Sequence, residues 1–245
     1  DVLLKNNLKY SILTPYFTNP KLKKQYDYSL KYVTKPYKKL YEFVSTRSNG
    51  ILVSDLDYKI PMSQTQTNFT FIPNPINTDS IAFYPNSIND KIVIFHGVNK
   101  YSSIKKGSSF FDEALIRIKE KYSTKVKVIT ATSLPYKDYQ KAYSAAHIVL
   151  DQVYSFDQGY NALEAMAKGK VVFTGAETAF TEHYNLSEKV AINALPDVDY
   201  LVNELSHLIE NPQEIVAIGN RARVFIEREH HYVNVANKYL EFWKK

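Results

Sequence analysis

Between residues 91 and 194 the chain alternates between two hydrophobic periods. "KIVIFHGV" (91–98) is a continuous apolar run, the pattern of a buried strand. "SSFFDEALIRIKEKY" (108–122) follows, with Phe111, Leu115, Ile116 and Ile118 at helical spacing and Ser108 or Ser109 able to cap its start. "KVKVITAT" (125–132) predicts the next strand, "YKDYQKAYSAA" (136–146) a helix, and "HIVLDQV" (147–153) a strand. "NALEAMAK" (161–168) is a run of helix formers stopped by Gly169. Strands at "KVVFTG" (170–175) and "KVAINA" (189–194) follow, and helices at roughly 197–210, 212–228 and 232–243 close the chain. Strands separated by helices require crossover connections. The pattern therefore predicts the α/β class, with a Rossmann-like, doubly wound, mostly parallel sheet.

The first ninety residues read differently. "KYSILT" (9–14) and "NGILVSD" (49–55) predict strands, and "PYKKLYEFVSTRS" (36–48) a helix with Pro36 in its first turn. "FTFIPNPIN" (69–77) reads as a short strand ending in a turn, and "NTDSIAFYPNSIND" (77–90) as a linker. The expected organisation is an incomplete lobe over 1–78, a linker over 79–90, a ligand-binding lobe over 91–231 and a C-terminal helix over 232–245. The chain opens at Asp1 in mid-pattern, as expected of a piece of a longer protein.

Composition changes this picture modestly. The 245 residues are 44% hydrophobic, enough for real cores, and no stretch reaches the uninterrupted apolar length of a membrane helix. There are no cysteines, which removes disulfides and thiolate chemistry and fits a reducing cytoplasm. A net charge of +6 suits anionic partners. The lysines are spread out and no nucleic-acid motif accompanies them, so no nucleic-acid partner is expected. "KLKKQYDYSLKYVTKPYKK" (21–39) interleaves lysine with tyrosine, which suits a peripheral membrane contact. The preferred reading is an amphipathic helix with Leu30, Val33, Tyr37, Leu40 and Val44 against a core.

Ligands of open α/β sheets bind beyond the carboxyl ends of the strands. The loops there are "HGVNKYSSIKKG", "ATSLPY", "QVYSFDQGYN" and "TGAETAF". In the third, Gly159 lets backbone approach a ligand and Asn161 is a candidate helix cap. Glu164, expected in the first turn, is placed to accept from vicinal ribose hydroxyls. The plainer reading has Glu164 offsetting the helix dipole and Gly169 as an ordinary C-cap. An exposed helix amino terminus is a phosphate site. In the first loop Lys100, Lys105 or Lys106 can supply point charges to a diphosphate, although neither a Walker loop nor GxGxxG is present. "DLD" at Asp55–Asp57 imitates an Asp-x-Asp metal motif but reads as a turn, so no metal is expected. The six histidines lack metal-ligand spacing; His96 is read as packing and His230–His231 as a surface joint.

Taken together, "KIVIFHGV…IKKG" and "AAHIVLDQV…QGYNALEAMAKGKVVFTG" resemble the donor-binding lobe of group 1 (family 4) glycosyltransferases of the GT-B fold, and most of all bacterial enzymes of surface-polysaccharide assembly. The resemblance covers roughly residues 70–243 and is most specific from Gly159 to Gly175. It makes 91–231 a nucleotide-sugar-binding lobe and 1–78 the end of an acceptor-side lobe. It implies that Glu164 contacts the nucleotide ribose, that Lys106 pairs with the diphosphate and that Gly97 ends the first strand. Tyr160 to Ala162 would then lie beside the phosphates, with Asn99, Lys100, Thr132 and Pro135 completing the donor site. No cofactor is implied. The partners would be a nucleotide-diphosphate sugar and a glycan or lipid-linked acceptor. The expected location is the cytoplasm, including the inner face of the membrane.

Two departures stand out. Phe156 occupies the position of the family's first motif glutamate, with Asp157 beside it as a candidate substitute in catalysis. Val98 replaces the usual arginine after the first glycine, and Lys100 is a candidate replacement. Three rival readings remain: a degenerate binding or partner module, a nucleotide-sugar epimerase and, least favoured, a nicotinamide dehydrogenase.

Overall fold

A computed structural model describes residues 19–25, 31–132 and 135–244. The expected strand over 9–14, as well as Leu30, Ser133 and Leu134, lie outside the described residues. The chain divides into two compact units, Asp1–Pro73 and Asn74–Lys245.

In the first unit, helices α1 (Pro20–Gln25) and α2 (Lys35–Ser45) precede β1 (Leu52–Val53), α3 (Leu56–Met62) and β2 (Thr70–Phe71). The two short strands pair in parallel. Asp55 belongs to a helix cap, its side chain accepting from the Tyr58 N–H. The core-facing stripe expected of the amphipathic segment is not observed. Helix α2 starts only at Lys35 and buries no residue, and Leu40 and Val44 are about half exposed.

The second unit is built on β3 (Ile92–Val98), β4 (Val126–Thr132), β5 (Ile148–Leu150), β6 (Val171–Thr174) and β7 (Ile192–Asn193). All are parallel and lie in the order β4-β3-β5-β6-β7. Their crossovers are α4 (Ser103–Lys106) with α5 (Ser108–Lys121), α6 (Tyr136–Ser144), α7 (Tyr160–Ala167) and α8 (Thr178–His183). Helices α9 (Val198–Glu210), α10 (Pro212–Glu229) and α11 (Tyr232–Trp243) follow. Such a sheet is covered on both faces, which is why its strands read as nearly continuous apolar runs. Ile92, Ile94, Leu150 and Phe173 join Phe111 and Ile118 of α5 and Leu201 and Leu205 of α9 in one core. Helices α7 and α10 pack together, and Phe95 meets the rings of Tyr139 and Tyr143 on α6. Burying a side chain of this size contributes roughly 1.5–3 kcal/mol.

Residues 79–90, expected as a linker, are strapped onto this unit. Arg223 of α10 donates to the carbonyls of Ile81 (2.8 Å), Ala167 (2.9 Å) and Thr78 (3.2 Å). The buried Asn86 amide donates to Gly169 O at 2.9 Å. Gly169 itself ends α7 in a two-bond cap: its N–H reaches Met166 O, and the Lys170 N–H reaches Ala165 O. His230 is not on the surface. It is 2% exposed, and its Nδ1 donates to Asn74 O at 2.8 Å.

Candidate functional site

The chain runs from β3 out to β4, then crosses back to build β5, β6 and β7 on the other side. The connections therefore diverge between β3 and β5, the switch point where open α/β sheets hold ligands. A cavity of about 870 Å³ lies there. Its lining comprises Gly97 and Val98, the loop Asn99–Ser102, Lys106 of α4, Ala131 of β4, Tyr139 of α6 and Asn161 of α7.

Two glycines shape it. A Cβ at Gly97 would come within 3.1 Å of the Phe95 and Tyr139 rings, so glycine lets α6 close over the strand end. Gly107 has φ +65° and sits between α4 and α5, and a Cβ there would meet Val153 at 2.2 Å. It is the N-cap of α5, in place of the expected Ser108 or Ser109; Ser108 is the first helical residue. The sharp joint fixes Lys106, whose carbonyl also accepts from Val153 N–H at 3.0 Å.

Beneath the cavity lies Asp151, just past β5, with its side chain 1% exposed. Its Oδ1 accepts from Lys106 Nζ at 2.7 Å and from Asn161 Nδ2 at 3.1 Å. Asn161 is oriented from its other side by Tyr139, whose hydroxyl donates to Oδ1 at 3.0 Å. The Tyr143 hydroxyl donates to the Asn161 carbonyl at 2.5 Å. Burial, reinforced by the charges of Asp151 and Glu164, pushes Tyr139 up to about 12. Burial likewise holds Tyr143 well above its ordinary value. Both hydroxyls are thus donors at neutral pH.

Helix α7 begins at Tyr160 with Gly159 as N-cap, which has no side chain to bond the first turn, so its amino end presents backbone N–H groups and partial positive charge. Asn161 is therefore the second helical residue rather than the cap. Glu164 is the fifth and lies past the first turn, which holds no acidic residue. It is exposed, with its charge felt by Tyr139, Tyr143 and Lys168.

Of the residues expected at a donor site, Gly97, Asn99, Lys100, Lys106 and Asn161 line the cavity. Gly159 and Tyr160 are exposed at the start of α7, and the Ala162 side chain is fully buried, leaving its backbone as the available group. Thr132 ends β4 and Pro135 caps α6; both are exposed, and Ala131 supplies the β4 contribution to the lining. Phe156 is 9% exposed and Asp157 3%. Asp157 Oδ1 accepts from Gln158 N–H at 2.8 Å within its own loop. His96 is fully buried, and burial lowers its pKa. Lys170, lowered to about 8 by burial, immediately precedes the amino end of β6, away from the strand carboxyl ends where the cavity lies. Its perturbation reflects packing.

Asp151, Tyr139 and Tyr143 escaped the sequence reading. The available signal was an acidic residue ending the apolar run "HIVLD", together with two tyrosines at i and i+4 on the preceding helix.

These features place a cavity lined by Lys106 and Asn161 at the strand ends of an open α/β unit, and the sequence narrows the class. A family model described as glycosyl transferase-like matches residues 103–241, more than half of the chain, and the chain belongs to that family. A search of curated proteins finds no match. Among solved structures, sucrose-phosphate synthase from Thermosynechococcus elongatus is 15% identical with a TM-score of 0.65, over 88% of this chain and 65% of that one. HepE from Anabaena, in complex with UDP and glucose, is 14% identical with a TM-score of 0.64, over 84% and 66%. A TarM variant from S. aureus, in complex with fondaparinux, alpha-GlcNAc-glycerol and UDP, is 14% identical with a TM-score of 0.64, over 86% and 47%. The shared property is the fold, that of GT-B glycosyltransferases, and the chain spans about half to two thirds of the length of these proteins. Among the described residues no helix is long and apolar enough to cross a membrane.

Proposed function

We propose that the second unit is the donor-binding lobe of a group 1 (family 4) glycosyltransferase. It would bind a nucleotide-diphosphate sugar for transfer to a glycan or lipid-linked acceptor in bacterial surface-polysaccharide synthesis. The observation that carries this reading is the convergence of Lys106 and the α7 amino terminus on one cavity at the switch point. That pairing of a fixed cation with oriented N–H groups suits a pyrophosphate. The complexes of TarM and HepE with UDP support it.

In this reading Lys106 and the α7 dipole stabilise the charge that develops on the departing diphosphate, without a metal. Glu164 grips the ribose, so that binding away from the reacting centre positions the anomeric carbon. Transfer retains the anomeric configuration, and the acceptor enters from the lobe to which 1–78 belongs. A second reading, donor binding without transfer, draws support from Phe156. At the motif position where the family places a glutamate, this chain buries an aromatic ring, and the neighbouring Asp157 carboxylate is engaged in its own loop.

Calorimetry against UDP, GDP, ADP and their sugars tests the site. Lys106→Ala and Glu164→Ala should each cost about 1–3 kcal/mol of affinity; unchanged affinity in both variants contradicts the assignment.

A further inference from the structure

We infer that Asp151 is a positioning residue for ligand binding in this cavity: its buried carboxylate sets the places of the Lys106 ammonium and the Asn161 amide. The inference rests on the reading of the cavity as a nucleotide-diphosphate site and deepens it.

The geometry is specific. One oxygen, Oδ1, takes both the ammonium at 2.7 Å and the amide at 3.1 Å, while Oδ2 is buried and makes no hydrogen bond with any of the described residues. Asn161 has its amide nitrogen on Asp151 and its amide oxygen on Tyr139, so a flip of the side chain would break both bonds. The lysine is 28% exposed and sits on a four-carbon stem, so without its partner it is free to swing into solvent. A single carboxylate thus keys together the end of α4, the start of α7 and, through Asn161, helix α6.

Asp151 carries the same sign of charge as a diphosphate. Electrostatics alone therefore predicts that neutralising it tightens anion binding, whereas positioning predicts that neutralising it weakens binding. The two accounts have opposite signs.

The experiment measures the affinity of the full-length protein for UDP and for inorganic pyrophosphate by calorimetry. The variants are Asp151→Asn, Lys106→Ala, Lys106→Arg and the pairwise combinations of Asp151→Asn with each Lys106 substitution. Positioning predicts that Asp151→Asn weakens both probes by about tenfold or more. The Asp151→Asn, Lys106→Ala double variant should lose clearly less than the product of the two single losses, because the part of the Asp151 effect that passes through Lys106 is already gone and only the part through Asn161 is left. Lys106→Arg should retain binding only while Asp151 is present. Equal or tighter binding by Asp151→Asn, or losses that multiply in the double variant, overturns the proposal. If Asp151→Asn fails to fold, Asp151→Glu keeps the charge and displaces the carboxylate by a methylene. The same weakening is then expected, and wild-type affinity overturns the proposal. A folded wild type that binds none of UDP, GDP, ADP or pyrophosphate would instead remove the reading of the cavity itself.

Discussion

Helices α2 and α7 were both legible as helices, yet they meet opposite fates. Helix α7 buries Ala162, Leu163, Ala165, Met166 and Ala167 between the sheet and α10. Helix α2 buries nothing and leaves Leu40, Tyr41, Phe43 and Val44 at least half exposed. The difference lies in what surrounds them. The second unit offers a five-stranded sheet, whereas the sheet described in the first is two-stranded. Periodicity specifies a helix; a partner layer decides whether its apolar face contributes to stability. The candidate site sits in the unit whose layers are complete enough to bury the Asp151 carboxylate.

The largest effect expected from this contrast is in the core. Phe173→Ala in β6 should destabilise the second unit by about 3–5 kcal/mol in denaturant unfolding. Leu40→Ala and Val44→Ala in α2 should stay within about 0.5 kcal/mol. A loss at Leu40 comparable to that at Phe173 would show that the α2 face is covered, and the contrast would collapse.

The next effect is a pH dependence confined to the second unit. Burial pushes His230 down to about 4, partly opposed by its bond to the Asn74 carbonyl and by Glu229, while Lys238 adds to the depression. The folded protein therefore binds fewer protons than the unfolded chain between about 6.5 and 4. Stability is complete above the unfolded value and falls as pH drops, by roughly 3 kcal/mol once pH is below 4. His230→Gln should flatten this slope in unfolding curves taken from pH 7 to pH 4. An unchanged slope would move the acid sensitivity to another group.

A smaller effect separates fold from site. Gly159 has ordinary extended backbone, and a Cβ there would meet nothing within 4 Å. Gly159→Ala should therefore change stability by less than about 1 kcal/mol, while lowering UDP affinity, because the open space is where a phosphate would approach. Equal affinity would place the phosphate away from the α7 cap.

The sheet was legible because apolar runs and helical repeats alternate strictly from 91 to 194, and β3 and α5 appear within a residue of their expected limits. Strand ends were not. "HIVLDQV" yields only Ile148–Leu150, and "KVAINA" only Ile192–Asn193, since hydrogen-bonding partners set strand length. The loop pattern left Lys100, Lys105 and Lys106 open, and the resemblance singled out Lys106, which lines the cavity together with Lys100. Asp151 was not legible, because an aspartate closing an apolar run looks like a strand end. Its role depends on Lys106 and Asn161, which the fold brings to it from either side in sequence. That residues 79–90 are strapped onto the second unit was not legible, because the anchors, Arg223 and Gly169, are remote in sequence.

The most direct measurement is a crystal structure of the protein with UDP or a UDP-sugar bound. The account predicts the diphosphate against the backbone N–H groups of Tyr160 to Ala162 and within hydrogen-bond reach of Lys106, with the ribose hydroxyls on Glu164. A nucleotide seated elsewhere, with the Lys106–Asp151 cavity empty, would contradict it.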